Sequence, residues 1–204
     1  MRKLYLTIIS VLMCLPLCGQ HIQPFNRVYS LPTYKVYYSD SIKTASFVIY
    51  KVYKPTIKVS RSGLNFKAYQ NLPHFDYLHT PYDKGHLVPA QDRSRNLNEL
   101  KSTFYYINAC PQYYKVNRGS WKKLETTVHK EAMKDSLIVV CGGCDYSPKD
   151  SLVPRRLFKV VYSLSTGGAL HYDIFSNNST LDTHRNDTLL VLFPLQYLKE
   201  LYVK

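Results

Sequence analysis

The amino-acid sequence predicts a single α+β domain with a mainly antiparallel central sheet flanked by helices. Several short segments rich in β-branched and aromatic residues are separated by turns that contain Gly or Pro. One longer segment repeats its apolar residues with helical spacing. Among 204 residues, 45% are hydrophobic and 14% aromatic, which is enough apolar material for one core. This composition excludes the disordered, collagen-like and coiled-coil classes.

The first twenty residues predict a signal peptide. Arg2 and Lys3 form a positive start, and the apolar run over 4–17 is too short to span a bilayer. Cleavage before Cys18 would leave a lipid-anchored lipoprotein, whereas cleavage near residues 19–20 would leave a free mature chain. We therefore expect an exported protein, either secreted or periplasmic. No later apolar run reaches the length of a transmembrane segment.

The rest of the chain is strongly basic. Lys and Arg number 27 against 14 for Asp and Glu, a formal net charge of +13. The first twenty residues hold two basic and no acidic residues, so their removal lowers the charge by two, to +11. Such an excess indicates an anionic partner, which composition alone leaves as nucleic acid, a membrane surface or an acidic substrate.

The amino-terminal third predicts an arm, a strand and a long loop. The segment 21–44 is polar and aromatic-rich without a clear period, and it is interpreted as an N-terminal arm ahead of a domain over 45–204. β-branched and aromatic residues predict a strand over Ala45–Lys54. Arg61–Pro81 mixes Gly, Asn, Pro and His without a period and predicts a long loop, a kind of segment that often carries function.

The middle of the chain predicts a strand and the main helix. Gly85–Ala90 is a short apolar stretch after a turn, Arg93–Ser102 predicts a helical connection, and Thr103–Ala109 predicts a strand. A helix is expected over about 118–134, because apolar residues recur there at intervals of three or four. These residues are Trp121, Leu124, Val128 and Ala132.

The carboxy-terminal third predicts further strands. Ser136–Cys141 predicts a buried strand that ends at a Gly-Gly turn. Leu157–Ser163 and Ala169–Phe175 flank Thr166–Gly168 and predict a hairpin. Leu195–Tyr202 predicts a short closing helix.

Three cysteines lie beyond the predicted signal. In an oxidising compartment, Cys141 and Cys144 would form a disulfide with each other, or either would pair with Cys110. A thiol–disulfide protein built on this pair is a third class of function, but its motif is expected at a strand-to-helix junction rather than at a Gly-Gly turn. We favour a structural role for these thiols.

Three consecutive motifs carry the chemistry of the sequence. They are Tyr82–Asp92 (YDKGHLVPAQD), Asn108–Gln112 (NACPQ) and Asn117–Glu125 (NRGSWKKLE). Their order and spacing resemble the DNA/RNA non-specific endonuclease family, the ββα-metal nucleases that include the Serratia nuclease and mitochondrial endonuclease G. The resemblance covers about 45–200 and implies a ββα-metal active-site motif within the α+β fold.

His86 is the candidate general base. An imidazole is mostly neutral at pH 7 and can take a proton from the water that attacks a phosphodiester. A positioned base contributes about 10²- to 10⁴-fold, so a charge stabiliser must accompany it. Mg²⁺ prefers oxygen ligands and keeps several waters, so one amide oxygen from Asn117 with substrate phosphate oxygens forms a plausible shell. Mn²⁺ is a possible substitute.

The resemblance assigns metal binding to Asn117 and orientation of the metal waters to Glu125. In a helix, Asn117, Trp121 and Glu125 stay on one side. Each residue also has a simpler interpretation. Asn117 would cap a helix, Glu125 would pair with a neighbouring lysine, and Trp121 is core packing. Asn108 and Gln112 either satisfy backbone groups at a strand end or, as the family implies, support the site.

The basic residues near these motifs predict phosphate binding. Arg61 stands five residues before Phe66, close to the family's arginine that stabilises the transition state, and Lys67 and Arg93 are alternatives. Lys84 replaces the family's arginine, keeping the charge but losing the planar fork that grips phosphate.

Further residues of the first and third motifs predict contacts to substrate. Asp83 and Arg118 are expected to bind substrate or support the site. Basic residues around the predicted helix would attract a phosphate backbone without reading bases. They are Lys115, Arg118, Lys122 and Lys123.

Together these observations predict an exported, Mg²⁺-dependent endonuclease that hydrolyses DNA and RNA with little sequence preference. The alternative is a nucleic-acid-binding protein of nuclease fold with weak or no catalysis, suggested by the lysine at position 84.

Overall fold

The computed structural model describes residues 22–54, 59–147, 152–178 and 183–184. The predicted signal peptide and closing helix lie outside these residues. In the described part of the chain, no helix is long and apolar enough to cross a membrane. The strands are β1 (Arg27–Leu31), β2 (Tyr34–Ser39), β3 (Thr44–Val52), β4 (Tyr82–His86), β5 (Ala109–Tyr113), β6 (Leu137–Tyr146), β7 (Pro154–Ser163), β8 (Ala169–Ser176) and β9 (Thr183–His184).

The strands form one large antiparallel sheet and one small one. The large sheet has seven strands in the order β1-β2-β3-β6-β7-β8-β9, and β4 pairs with β5 as a separate two-stranded sheet. The predicted α+β class with a mainly antiparallel sheet is confirmed. The predicted strand at 45–54 corresponds to β3, and the predicted hairpin corresponds to β7 and β8.

The helices are short. They are a 3₁₀ turn (Ala90–Arg93), α1 (Leu97–Ser102), a 3₁₀ turn (Tyr106–Asn108), α2 (Tyr114–Val116), a π turn (Asn117–Trp121) and α3 (Lys122–Glu131). Asn96 caps α1 by accepting a hydrogen bond from the backbone N–H of Glu99. The predicted main helix is therefore present, but its regular α part begins at Lys122, because the chain departs from helical geometry at Gly119 (φ −105°, ψ −105°).

The prediction of an arm over 21–44 is wrong. This segment supplies β1 and β2, which extend the large sheet beyond β3. Both faces of β2 are covered: Tyr37 packs into the cluster on one face of the sheet and Tyr38 into the cluster on the other. A strand buried on both sides lacks the alternation of polar and apolar residues that identifies a half-exposed strand. The tyrosines of β2 therefore do not show the two-residue period that would have predicted a strand.

The predicted Gly-Gly turn after Cys141 is also wrong, because β6 continues through both glycines to Tyr146. A Cβ added to Gly142 would lie 2.2 Å from the backbone oxygen of Ser46 on the neighbouring β3. Glycine in a strand often marks such a close approach of another backbone. The two glycines serve strand packing here rather than a reversal of the chain.

The predicted disulfide is not formed, and Cys110, Cys141 and Cys144 are all free and buried. Residues three apart in a strand point to opposite faces, so Cys141 and Cys144 belong to different core clusters. Cys141 Sγ instead donates to the backbone oxygen of Leu87 at 3.2 Å. Burial raises the pKa of the Cys141 thiol to about 12. These thiols are core residues, which removes the basis for the thiol–disulfide class.

The predicted strand over 103–109 is replaced by a turn, and β5 begins only at Ala109. The buried side chain of Asn108 fixes this turn. Its Oδ1 accepts from the Val88 N–H at 2.9 Å, and its Nδ2 donates to the backbone oxygens of Val88 and Thr103, both at 3.0 Å. An aromatic-rich stretch favours a strand, but these three bonds satisfy the backbone in another conformation.

One face of the large sheet packs against a layer made of β4, β5 and the helical segment from α2 to α3. Trp121, only 1% exposed, belongs to the buried cluster of this interface with Leu124 and Val128 of α3. Truncating a buried Trp costs about 3–5 kcal/mol, so this contact holds the helix firmly on the sheet. The layer thereby fixes the positions of His86 at the end of β4 and Asn117 after α2.

Candidate active site

A cleft of about 720 Å³ opens between the loop at 61–66, the end of β4 and the helix α3. The structure brings most of the predicted site residues to this cleft. Those that line it are Arg61, Asp83, Lys84, His86, Asn117, Arg118 and Glu125.

His86 lies at the end of β4 between two aromatic rings. Its ring centroid is 4.7 Å from that of Phe66 and 5.0 Å from that of Phe104. The Nε2 atom is buried and has no hydrogen-bond partner among the described residues. Burial, together with the positive charge of Arg61, lowers the pKa of His86 to about 4. The imidazole is therefore neutral at pH 7 and able to accept a proton.

Asp83 ties the β4–β5 sheet to the helical segment from α2 to α3. Its carboxylate accepts a hydrogen bond from Asn117 Nδ2 at 2.9 Å and two from Arg118, from Nε at 2.8 Å and Nη2 at 2.7 Å. Burial alone would raise the pKa of Asp83, but the hydrogen bonds from Arg118 and Asn117 outweigh it and lower that pKa. The anionic carboxylate thus orients the amide of Asn117.

The position of Asn117 differs from the interpretation as a helix cap. Its backbone is already helical (φ −57°, ψ −48°), and it continues α2 into the π turn rather than starting a helix. With Nδ2 committed to Asp83, the amide oxygen Oδ1 is the atom left for a cation. In the described residues, no group of three or more His, Cys, Asp or Glu side chains could hold a metal ion. Any metal here would rely on few protein oxygens, and Mg²⁺ tolerates such a shell because it keeps its waters.

Glu125 is partly buried and pairs with a lysine that the sequence did not suggest. Its Oε1 lies 3.5 Å from Nζ of Lys159 on β7, so the predicted pairing with a neighbouring lysine of the helix is wrong. Burial raises the pKa of Glu125, and the charge of Lys159 opposes this shift. Glu125 still lines the cleft.

A sequence model of the DNA/RNA non-specific endonuclease family matches residues 21–192. The chain belongs to this family. A nuclease of Nostoc sp. (strain PCC 7120) is 25% identical over 160 residues, covering 72% of this chain and 58% of the relative. Nuclease EXOG of Danio rerio is 31% identical over 103 residues, covering 42% of this chain and 30% of the relative. Human endonuclease G is 25% identical over 120 residues, covering 50% and 40%.

The fold is also similar to that of a solved structure. A chain in the crystal structure of an EndoG/EndoGI complex superimposes with a TM-score of 0.65 at 20% identity, covering 82% of this chain and 84% of that chain. This likeness concerns the fold. The chain spans less than two thirds of the length of the curated relatives named above.

Of the three basic candidates for phosphate binding in this endonuclease-family chain, Arg61 is the one in the cleft. Arg93 is 2% exposed, and its guanidinium donates to the backbone oxygens of Thr33 and Lys51. Lys67 places its Nζ 5.1 Å from the ring centroid of Tyr105 and does not line the cleft. Arg93 is therefore a core residue, and the prediction that it could replace Arg61 is wrong.

Asn108 and Gln112 are fully buried and do not line the cleft. Asn108 holds the turn before β5. Gln112 packs on Gly85, where an added Cβ would lie 2.2 Å from Gln112 Cδ. Asn108 satisfies backbone groups as its simpler interpretation predicts, whereas neither polar atom of the Gln112 amide has a hydrogen-bond partner among the described residues, so Gln112 supports the strand of His86 by packing alone.

His129 is not among the residues predicted for the site, yet the structure places it in the cleft, hydrogen-bonded through Nε2 to Asp92. Both side chains are largely buried. Burial lowers the pKa of His129, but the hydrogen bond and charge of Asp92 outweigh it and raise that pKa. A signal was present, because His129 follows Glu125 by four residues and so shares its helix face. Asp92 comes from a distant turn, which no local pattern could reveal.

Proposed function

We propose that this protein is a metal-dependent endonuclease that hydrolyses phosphodiester bonds of DNA and RNA without sequence preference. The observation that carries the proposal is the arrangement of a neutral imidazole, His86, and an oriented amide, Asn117, in one cleft lined by basic residues. Membership of the DNA/RNA non-specific endonuclease family supports it.

His86 acts as the general base. The neutral ring accepts a proton from the attacking water, and its aromatic neighbours keep it in place and poorly solvated. The deprotonated water oxygen bonds to phosphorus as the bond from phosphorus to the 3′ oxygen breaks, and the product carries a 5′ phosphate. The resulting imidazolium is disfavoured by burial, so it releases its proton to solvent readily, and the departing 3′ oxygen takes a proton from solvent.

Asn117 Oδ1 and the Glu125 carboxylate are the residues that would hold the metal and its waters. Both are oxygen donors, a set that suits Mg²⁺, with Mn²⁺ as a substitute. When bound, the cation would supply positive charge to the phosphate oxygens as negative charge develops on them. Asp83 fixes Asn117 through a hydrogen bond, and its ion pair with Arg118 holds that exposed side chain beside the cleft.

Arg61, Lys84, Arg118 and Lys122 bind the phosphate backbone. Lys84 and Arg61 flank His86, and their charges would attract the scissile phosphate, while Lys122 extends the basic surface along the helix. Contacts of this kind address the backbone that DNA and RNA share and carry no sequence information.

Export is a further part of the proposal, and it rests on the apolar segment 4–17 that follows Arg2 and Lys3. The protein would be secreted or periplasmic, or anchored by a lipid on Cys18. Fractionation of producing cells checks this. Cys18→Ser would release the protein from membranes if a lipid holds it and would change nothing if cleavage occurs beyond Cys18.

The activity is tested with purified protein, supercoiled plasmid and a structureless RNA. Cleavage of both in Mg²⁺, none in EDTA, and recovery on adding Mn²⁺ are expected. Cleavage that persists in EDTA contradicts the metal requirement. Salt-sensitive binding of DNA without cleavage would instead identify a nucleic-acid-binding protein. If the Lys84→Arg variant then cleaved DNA, the fold would be that of a nuclease whose activity the lysine had reduced.

A further inference from the structure

Lys159 is a buried cation beneath the active-site helix. It lies in the middle of β7, its side chain is 1% exposed, and it does not line the cleft. A fully buried lysine is rare, because removing an ammonium group from water is costly unless the charge is paired. Its two close neighbours show which side chains the buried charge stabilises.

Both neighbours belong to the helical segment that carries the site. Lys159 Nζ lies 3.5 Å from Glu125 Oε1 and 4.1 Å from the ring centroid of Trp121. Trp121 and Glu125 are four residues apart, so they share one helix face, and the ammonium lies against that face from the sheet side. The ring of Trp121 supplies a cation–π contact, and Glu125 supplies the counter-charge.

We propose that Lys159 is a positioning residue that holds the Glu125 carboxylate in the orientation needed at the metal site. The inference rests on the proposed function. One end of the Glu125 carboxylate is held by Lys159, while the residue itself lines the cleft with Asn117. Because Lys159 belongs to the central sheet and Glu125 to the helix, the pair also fixes the height of the site above the sheet.

The structure explains why a neutral side chain would serve less well. Methionine has a similar length and would fill the space without the cost of burying a charge. It would leave the Glu125 carboxylate partly buried without a partner and free to rotate. The charge of Lys159 therefore matters for the orientation of Glu125 and not for packing alone.

The test compares Lys159→Met with Lys159→Arg and with Lys130→Met, which removes an exposed lysine on α3, the helix that carries Glu125, outside the cleft. Mn²⁺ binding is followed by electron paramagnetic resonance, and cleavage of an oligonucleotide by steady-state kinetics. Residues that orient metal ligands typically change affinity or activity by about 10- to 100-fold. We expect such a loss in Lys159→Met, in kcat and in Mn²⁺ affinity, with KM for DNA nearly unchanged. Lys159→Arg should recover part of it, and Lys130→Met should match the wild type.

A double-mutant cycle decides whether Lys159 acts through Glu125. The variant Glu125→Gln/Lys159→Met should have the same kcat and Mn²⁺ affinity as Glu125→Gln alone, and it should melt at a higher temperature than Lys159→Met, because neither charge is left unpaired. The comparison of the double variant with Glu125→Gln does not use Lys159→Met and therefore works even where that variant does not fold. The proposal would be overturned if the double variant lost the product of the two single-variant losses in kcat. It would also be overturned if Lys159→Met bound Mn²⁺ as tightly as the wild type. A wild-type protein that binds Mn²⁺ but does not cleave would contradict the proposed function while leaving the Mn²⁺ and melting comparisons to judge Lys159.

Discussion

The imidazole of His86 is placed so that burial, rather than a hydrogen-bonded partner, sets its protonation. Two phenylalanine rings cover it, and Arg61 adds a repulsive charge. Both effects disfavour the imidazolium. A base in such a setting is weaker than a solvated histidine but available over a wider range of pH.

The pH profile of kcat/KM should reflect this setting. A base acts only when deprotonated, so activity should hold as pH falls from 7 to about 5 and be half lost near pH 4, the lowered pKa of His86. In the unfolded chain this histidine has its ordinary pKa of 6.5, so the free energy of unfolding also decreases as pH falls from 6.5 to 4. Circular dichroism at each pH separates loss of fold from loss of the base. Half-loss of activity near pH 6.5 in folded protein would show that the base is solvated.

Asp83 is the residue that aligns Asn117, and its removal should affect the site more than the fold. In Asp83→Ala we expect activity and Mg²⁺ affinity to fall by about 10- to 100-fold. The melting temperature should change little, because the Arg118 side chain is 70% exposed and surface ion pairs contribute about 0–1 kcal/mol. Asp40→Ala, which breaks a similar exposed pair with Arg27 far from the cleft, is the control. Equal activities of the two variants would contradict the role of Asp83.

At the scale of elements, the two-stranded β4–β5 sheet sets the position of His86. Gly85 pairs with Cys110 across this sheet, and the side chain of Gln112 lies over Gly85, which has no Cβ to keep it away. The β4–β5 sheet and the helical segment meet at Asp83. The catalytic geometry thus depends on close packing of a very small sheet.

Gly85→Ala should therefore destabilise the protein. The new Cβ would lie 2.2 Å from Gln112 Cδ, and inserting a methyl group into a packed site costs about 1–3 kcal/mol. Gly168→Ala, in the exposed β7–β8 turn, brings a Cβ only to 3.6 Å from Thr166 and is the matched control. Urea denaturation of both variants checks this. A Gly85→Ala protein as stable as Gly168→Ala would mean that Gln112 moves aside freely.

The sequence predicted some elements better than others, for physical reasons. β3 and the β7–β8 hairpin have local signals in their β-branched residues and turn. β2 does not, because burial on both faces removes alternation, and Gly142 imitates a turn because its close neighbour, Ser46, is distant in sequence.

The same distinction holds within the candidate site. His86, Asn117 and Glu125 lie in motifs that can be found along the chain, and the structure brings them to one cleft. Lys159 and Asp92 join the site through contacts between residues more than thirty positions apart. Such pairs arise from topology, so no local pattern predicts them.

At the scale of the whole molecule, the formal charge of +13 is partly gathered at the cleft. Arg61, Lys84, Arg118 and Lys122 line it, whereas Lys159 and Arg93 are used inside the core. The excess charge therefore has two functions. One is to bind a polyanion, and the other is to hold the fold beneath the site.

DNA binding in EDTA should weaken steeply with salt, since each phosphate contact contributes about −0.9 to the slope of log K against log salt. Lys122→Ala should make the slope less steep by about one. Lys134→Ala, an exposed lysine away from the cleft, should leave the slope unchanged. Fluorescence anisotropy from 50 to 200 mM salt, in about four steps, measures both. Equal slopes for the two variants would show that Lys122 of α3 does not contact the DNA backbone.

The most direct measurement is the rate of plasmid nicking by wild type and by His86→Ala at pH 7 in Mg²⁺, with His79→Asn as a control. His79 is exposed with φ 56°, a conformation that Asn tolerates. Loss of the general base should slow nicking by about 10²- to 10⁴-fold, with melting temperature and DNA affinity retained, while His79→Asn cleaves as the wild type does. A folded His86→Ala protein that nicks plasmid at close to the wild-type rate would contradict the assignment of this cleft as the active site.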